Sequence, residues 1–217
     1  MSDTRLLAAV SSVPRLTGDG NNIRHRGLRD GSAIMADLFD ALGMEGRIFV
    51  ANMGTVTTPI TFLVTAANRP DAWIRVPSNT AILPILVNVS LEAAAGTDTE
   101  IDVRAANNDI GNGTSSAADI GPLSTRNDGP VTSACTARQL ATGDTTAETT
   151  PRSLYRYEFS VAEGTSSDFH VDVPRSLMGY PCLVGPATWE VFIAATSTQA
   201  VGYVVMTWAE IPSSMIV

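Results

Sequence analysis

From residue 47 onward, apolar residues fall at every second position, the period that sends alternate side chains to opposite faces of a strand. RIFVANM (47–53) starts the pattern, and ITFLVTA (60–66) and AWIRV (72–76) continue it. Pro77, Ser78 and Asn79 then predict a turn. AILPILVNVSLEA (81–93) reads as one long strand, with Ile85, Val87, Val89 and Leu91 on one face and Asn88 and Ser90 on the other. Pro84 offers no backbone donor, so it predicts an edge or a bulge. TEIDVRA (99–105) puts Ile101 and Val103 inward and Glu100, Asp102 and Arg104 outward, a strand with one wet face. LYRYEFSV (154–161) turns Tyr155, Tyr157, Phe159 and Val161 one way, and DFHVDV (168–173) follows. TWEVFIAATSTQAVGYVVMTWAEI (188–211) closes the series as two β-rich runs about a short polar turn.

Before residue 46 the pattern differs. Residues 1–31 carry GDGNNIRHRGLRDG, dense in turn formers and without apolar periodicity, and predict a flexible arm that orders only against a partner surface. Ile34, Met35, Leu38, Phe39 and Leu42 recur at helical spacing. Ser32 suits the N-cap and Gly43 the C-cap, which predicts a helix over 32–43 in a short amphipathic unit of 32–45. So short a helix with so apolar a face must pack on the β domain or on a neighbouring subunit. Residues 46–217 make the β domain, interrupted by a long loop excursion at 107–150 in which only VTSACTARQL has strand character. Excursions of that length in a compact domain are usually functional or bound to a partner. About nine strands follow one helix without βαβ alternation or a fixed-period repeat. The fold class is therefore all-β: an antiparallel β-sandwich with an N-terminal extended arm and one short helix. Its strand number favours a jelly roll over an immunoglobulin-like fold.

The composition narrows the function. The chain has 217 residues, 44% hydrophobic and 17% charged, with a net charge of −8. That suffices for a full-sized core. All 14 basic residues are Arg, which points to base composition or habitat rather than to mechanism. An acidic surface opposes broad nucleic-acid binding. The arm alone is basic, with Arg5, Arg15, Arg24, Arg26 and Arg29 against Asp3, Asp19 and Asp30, so any direct nucleic-acid contact is confined to it. No run reaches the roughly 18 apolar residues that span a bilayer. MSDTRLLAAVSSVPRL has only LLAAV as an apolar core, after an acid, which predicts a soluble chain made inside a cell without a cleaved export signal.

Candidate chemistry is sparse. His25 lies in the arm between two arginines. Asp168, His170 and Asp172 share one strand face and are the weak metal candidates, although an outward face must carry polar residues in any case. NNDIGNG (107–113) resembles loosely spaced calcium ligands but lacks the downstream bidentate Glu and reads as a turn. Cys135 and Cys182 sit in no ligand or redox motif and are expected as free thiols. No GxSxG elbow or GxxxxGK[ST] loop occurs. The expectation is a protein without catalytic residues, resident metal or cofactor. A cupin-like oxygenase would need several His together.

VPSNTAILPILVNVSLEAAAGTDTEIDV (76–103), NNDIGNGTSS (107–116) and WEVFIAATSTQAVGYVVMTWAEIP (189–212) resemble segments of structural proteins of bacteriophage particles. The arm–helix–sandwich layout is also that of many virion shell proteins. The resemblance covers about the last two-thirds of the chain. It implies a viral structural protein, a capsid-shell subunit or a capsid-decorating (cement) protein. Such a protein resides in the virion and is assembled in the host cytoplasm. Its partners would be copies of itself, a trimer first, and other capsid proteins, with no membrane contact. The small basic charge of the arm departs from capsid proteins that condense a genome. The alternative is a glycan- or receptor-binding sandwich module of a virion appendage, with Trp73, Trp189 and Trp208 as stacking platforms.

Overall fold

The computed structural model describes residues 8–9, 23–24, 38–62, 70–94, 98–110, 120–129, 131–139, 150–160, 162, 164, 166–172, 181–195 and 199–216. In the arm, β1 (Ala8–Ala9) pairs in parallel with β2 (Ile23–Arg24). Then come α1 (Leu38–Met44), β3 (Ile48–Met53), β4 (Ile60–Thr61), β5 (Ala72–Val76), β6 (Thr80–Ala93) and β7 (Asp98–Ala106). β8 (Leu123–Ser124) and β9 (Thr136–Gln139) lie within the excursion. β10 (Arg152–Ser160), β11 (Ser167–Asp172), β12 (Leu183–Val184), β13 (Ala187–Ala195) and β14 (Val201–Pro212) complete the chain, with a 3-10 turn at Ser213–Met215.

Two antiparallel sheets pack face to face. One runs β10-β7-β13-β5-β9; the other runs β11-β6-β14-β3-β8, with β12 on β6 and β4 on β14. Eight strands carry the architecture: β3, β5, β6, β7, β10, β11, β13 and β14. In chain order the first pairs with the last (β3–β14) and the second with the seventh (β5–β13). The third pairs with the sixth (β6–β11) and the fourth with the fifth (β7–β10). This is one long antiparallel hairpin rolled up so that β6 also pairs with β14 and β7 with β13. That wrapping is a jelly roll, as strand number led one to expect.

Alternation fills the space between the sheets. Ile101, Val103, Ile74, Val76, Trp189, Val191 and Ile193 face Phe49, Met53, Val87, Val89, Leu91, Val204, Met206 and Trp208 in one core, all at most 2% exposed. Each aliphatic, Met or Phe side chain buried here contributes on the order of 1.5–3 kcal/mol.

Three local expectations change. Pro84 marks a bulge, one of its two expected places, and the facing of Ile85 changes with it: Thr207 faces Leu86 but Trp208 faces Pro84, leaving Ile85 as the extra residue of a central strand. The bulge switches the strand's faces, so Ile85 leaves the inner row of Val87, Val89 and Leu91. It joins an outer cluster with Phe39, Leu42, Leu83 and Ala209. This cluster is the seat of α1, which packs on the sheet as its apolar face requires. The helix also continues past Gly43 to Met44. Gly46, at φ 74°, makes the stop: Gly46 N–H donates to Gly43 C=O at 3.0 Å and Arg47 N–H to Leu42 C=O at 2.8 Å. Those two bonds form a Schellman cap, so glycine is needed three residues later than expected. Residues 32–37 lie outside the described residues.

The outward face of β7 carries Glu100, Asp102 and Arg104 as expected but is only partly wet, with Glu100 and Arg104 half-buried. Asp102 is only 3% exposed, accepting from Ser153 Oγ and from Arg104 Nε at 2.7 Å, while the Arg104 guanidinium lies 4.3 Å from the Phe192 ring centre. Farther across this outer face, Trp73 and Glu190 are 0% exposed. Ile110, itself buried, packs with Trp73 and Ala106. The start of the excursion thus folds back over the five-stranded sheet. Ile110 N–H donates to Thr188 Oγ1 at 3.3 Å, and the Thr188 hydroxyl donates to Asn108 C=O at 2.8 Å.

Candidate functional site

Successive strands of a rolled hairpin cross the sandwich in opposite directions, so their connections alternate between its two ends. The segments after β5, β7 and β11 share one end with the approach to β3 and the exit from β14. Hydrogen bonds tie them there. Gly185 N–H donates to Thr80 C=O at 2.9 Å, and Ser213 N–H to Asn79 C=O at 3.0 Å. The described ends of the long insertions therefore meet at one surface. It holds a cavity of about 280 Å³ lined by Arg75, Pro77, Ser78, Asp109, Thr136 and Pro186, among others. Arg75 grips Asp109 with two hydrogen bonds, Nε to Oδ1 at 2.8 Å and a second to Oδ2. The pair neutralises the cavity's two charges, leaving a small recess suited to a side chain more than to a metabolite. Asp109 belongs to the NNDIGNG run; its bond to Arg75 and the burial of Ile110 fit the turn reading. Residues 111–113 lie outside the described residues.

A buried carboxylate fastens the excursion. Glu210, 6% exposed near the end of β14, accepts from Trp208 Nε1–H at 2.9 Å and Ala134 N–H at 2.9 Å, and from the Ser133 hydroxyl. Ser133 Oγ in turn accepts from Cys135 N–H at 3.1 Å. The next residues form β9, whose Ala72–Gln139 to Arg75–Thr136 register extends the sheet beyond β5. Ile120 bridges the outer side of β9 at Ala137. β8 does the same service for β3. The excursion therefore covers both sheet edges on one side of the sandwich, a standard protection against unwanted strand pairing. Sequence reasoning missed this device. Ser133 and Glu210 are 77 positions apart and share no motif.

Both cysteines are free, as expected. Burial, and then the charge of Glu210, push the Cys135 thiol far above its ordinary value. Burial also raises Cys182, which is only partly covered. Since the thiolate is the reacting form, Cys182 is expected to label slowly at pH 8, with a rate still climbing above pH 9. Cys135 is expected to label only on unfolding. Mass spectrometry after timed alkylation reads both. Native-state labelling of Cys135 at the rate of Cys182 would contradict its burial beside Glu210.

Asp168, His170 and Asp172 occupy alternate positions of β11, opposite Ser90, Asn88 and Leu86. They alternate with Phe169, which packs against the main core, so the three positions share the outer face of the seven-stranded sheet. Asp168 is exposed; the side chains of His170 and Asp172 lie outside what is described, as does His25. Among the described residues no group of three His, Cys, Asp or Glu is arranged to hold a metal ion. Nor is any helix of those residues long and apolar enough to cross a membrane.

Trp73, Trp189 and Trp208 are all 0% exposed, so none is a stacking platform. An indole that buries 150–250 Å² contributes on the order of 4–6 kcal/mol to the fold. Compared with family models, with curated proteins and with solved structures, the chain matches none.

Proposed function

We propose that this chain is a structural subunit of a virus particle of the phage type, either a shell-forming capsid protein or one that decorates and cements a shell. The observation that carries this reading is the architecture. An eight-stranded roll brings the described ends of its long insertions, the approach from the helix and the exit of β14 to one end, with an N-terminal arm preceding the helix. An arm of this kind gains most when it orders against a neighbour. Three described carboxylates fasten segments to the roll: Glu210 holds the excursion, Asp109 is held by Arg75, and Asp102 accepts from Ser153. The resemblance of the 76–103 and 189–212 segments to phage structural proteins points the same way. In this reading the protein acts through its copies and other capsid proteins rather than by catalysis, and it resides in the virion.

Sedimentation velocity over a wide concentration range, with electron microscopy of the same material, tests the reading. The expected result is a closed homo-oligomer, a trimer first, or copies bound to purified phage heads. A folded monomer at every concentration that binds no heads would overturn it.

A further inference from the structure

The two sides of the sandwich are treated differently. On one, β8 and β9 cover the edges of β3 and β5. On the other, the sheets end in β10 and β11, and no strand among the described residues pairs with the far side of either. β10 is long for an edge, nine residues, against about five or six for an ordinary strand. After a bulge at Leu154 its register on β7 is regular from Tyr155 to Ser160. No proline or lysine interrupts it. It also exposes an aromatic: Tyr157, 45% exposed, meets Phe169 of β11 with ring centres 6.2 Å apart. Beyond that bulge, a regular run with an exposed aromatic and no proline is a template for another strand, and its charges select which one.

The charges along this edge identify the partner. Tyr157 is flanked by Arg156 and Glu158, whose positions lie opposite Asp102 and Glu100 on the outward face of β7. Set a second β10 antiparallel to the first, with a two-fold axis through Tyr157. Arg156 then stands directly opposite Glu158 of the second copy, and Glu158 opposite its Arg156. Directly opposed residues share a face, with Cβ atoms about 4.5–5.5 Å apart. The register joins opposite charges twice and places like charges opposite each other nowhere within 156–158. Arg156 is free enough to serve: its side chain is 62% exposed, and it already reaches Glu100 from the same face. Moving the axis to Arg156 would oppose arginine to arginine, and moving it to Glu158 would oppose glutamate to glutamate.

We propose that the β10 edge is a two-fold, self-complementary interface, on which a second copy of this chain continues the five-stranded sheet into one of ten strands. The proposal rests on the self-associating reading above and names its surface. A two-fold contact coexists with a ring closed by other surfaces, because dihedral assemblies combine both.

Charge reversal on the full chain tests it. R156E and E158R each turn two attractive cross-axis pairs into two repulsive ones, and each is expected to weaken association by about tenfold or more in sedimentation velocity at low salt. The double variant R156E/E158R restores both pairs and should recover association, with circular dichroism melts showing that all variants are folded. Y157C should form a disulfide-linked dimer under mild oxidation that the parent chain does not form. This readout stands even if a charge variant fails to fold. Single variants that associate as tightly as the parent overturn the proposal, as does a folded double variant that does not recover, or a Y157C chain that stays monomeric in oxidising gels. If association ignores both reversals but is lost on removing residues 1–31, the arm is the connecting element and the proposal fails. In these cases an associating parent chain leaves the structural reading intact; a parent that never associates overturns this proposal, and one that also binds no phage heads removes both.

Discussion

Replacing Glu210 by alanine is expected to lower stability by about 3–5 kcal/mol, the sum of several buried donors losing a charged acceptor. The carboxylate takes the Trp208 indole N–H and the Ala134 N–H, both at 2.9 Å, and the Ser133 hydroxyl. Trp208 is 0% exposed, so its N–H has no access to solvent in the folded chain. For a domain of this size each kcal/mol moves the melting temperature by about 2–4 °C, which makes the expected drop about 10 °C. Glu210→Gln should fall near half that loss. An amide oxygen still accepts from Trp208 and Ser133, but its NH₂ meets the Ala134 N–H donor to donor. Denaturant melts of both variants, followed by tryptophan fluorescence, read the effect. A loss under about 1 kcal/mol for Glu210→Ala would mean that the carboxylate does not hold the 133–135 turn.

The same variant should weaken one edge more than the core. The turn that Glu210 holds leads directly into β9, and β9 is what covers β5. Hydrogen exchange at Thr136–Gln139 should rise in Glu210→Ala before exchange at Ile101 or Val191, because edge strands open at lower free energy than central ones. That order would separate loss of a fastening from a general loss of packing.

Much of the roll was legible in the sequence because its principal strands alternate over five or more residues. AWIRV became β5 without change, and TEIDVRA became β7 with one residue added at each end. The order in which the strands pair was not legible, since alternation says which face is buried and nothing about the neighbour. The misreadings have separate physical causes. Ile85 was assigned inward because a bulge shifts the period by one residue, and periodicity cannot reveal on which side of Pro84 the shift falls. The outer face of β7 looked wet because its cover comes from elsewhere: Ser153 from β10 and Phe192 from β13. β8 and β9 were invisible or faint because two- and four-residue strands carry too little pattern and take their register from β3 and β5. The Arg156–Tyr157–Glu158 pattern was in plain view. Its significance depends on β10 being the last strand of a sheet, which the topology supplies.

Gly202→Ala is expected to cost about 4 kcal/mol or to leave the chain insoluble, the largest effect of any single methyl group considered. Gly202 lies where β14 meets β6 at a register shift: Val201 faces Ala93, but Gly202 faces Leu91. A Cβ at Gly202 would sit well inside the contact distance of the Ser90 carbonyl oxygen and 3.0 Å from the Leu91 Cα. Both obstacles are backbone, so no rotamer change relieves them. Neither strand can simply retreat. Ser90 is held on its other side by β11, opposite Asp168, and its neighbours Val89 and Leu91 are 0% and 2% exposed in the main core. Gly202 is held on its far side by Ile60 of β4. Separating β14 from β6 here would break the ladder that joins the last strand of the roll to the third. Gly121→Ala supplies the contrast, since a Cβ there meets nothing within 4 Å, and its stability should stay within about 0.5 kcal/mol of the parent. Denaturant melts of the two variants side by side decide the matter. A Gly202→Ala chain as stable as Gly121→Ala would require that the β14–β6 seam yields, and a seam that yields cannot fix the register on which the roll depends.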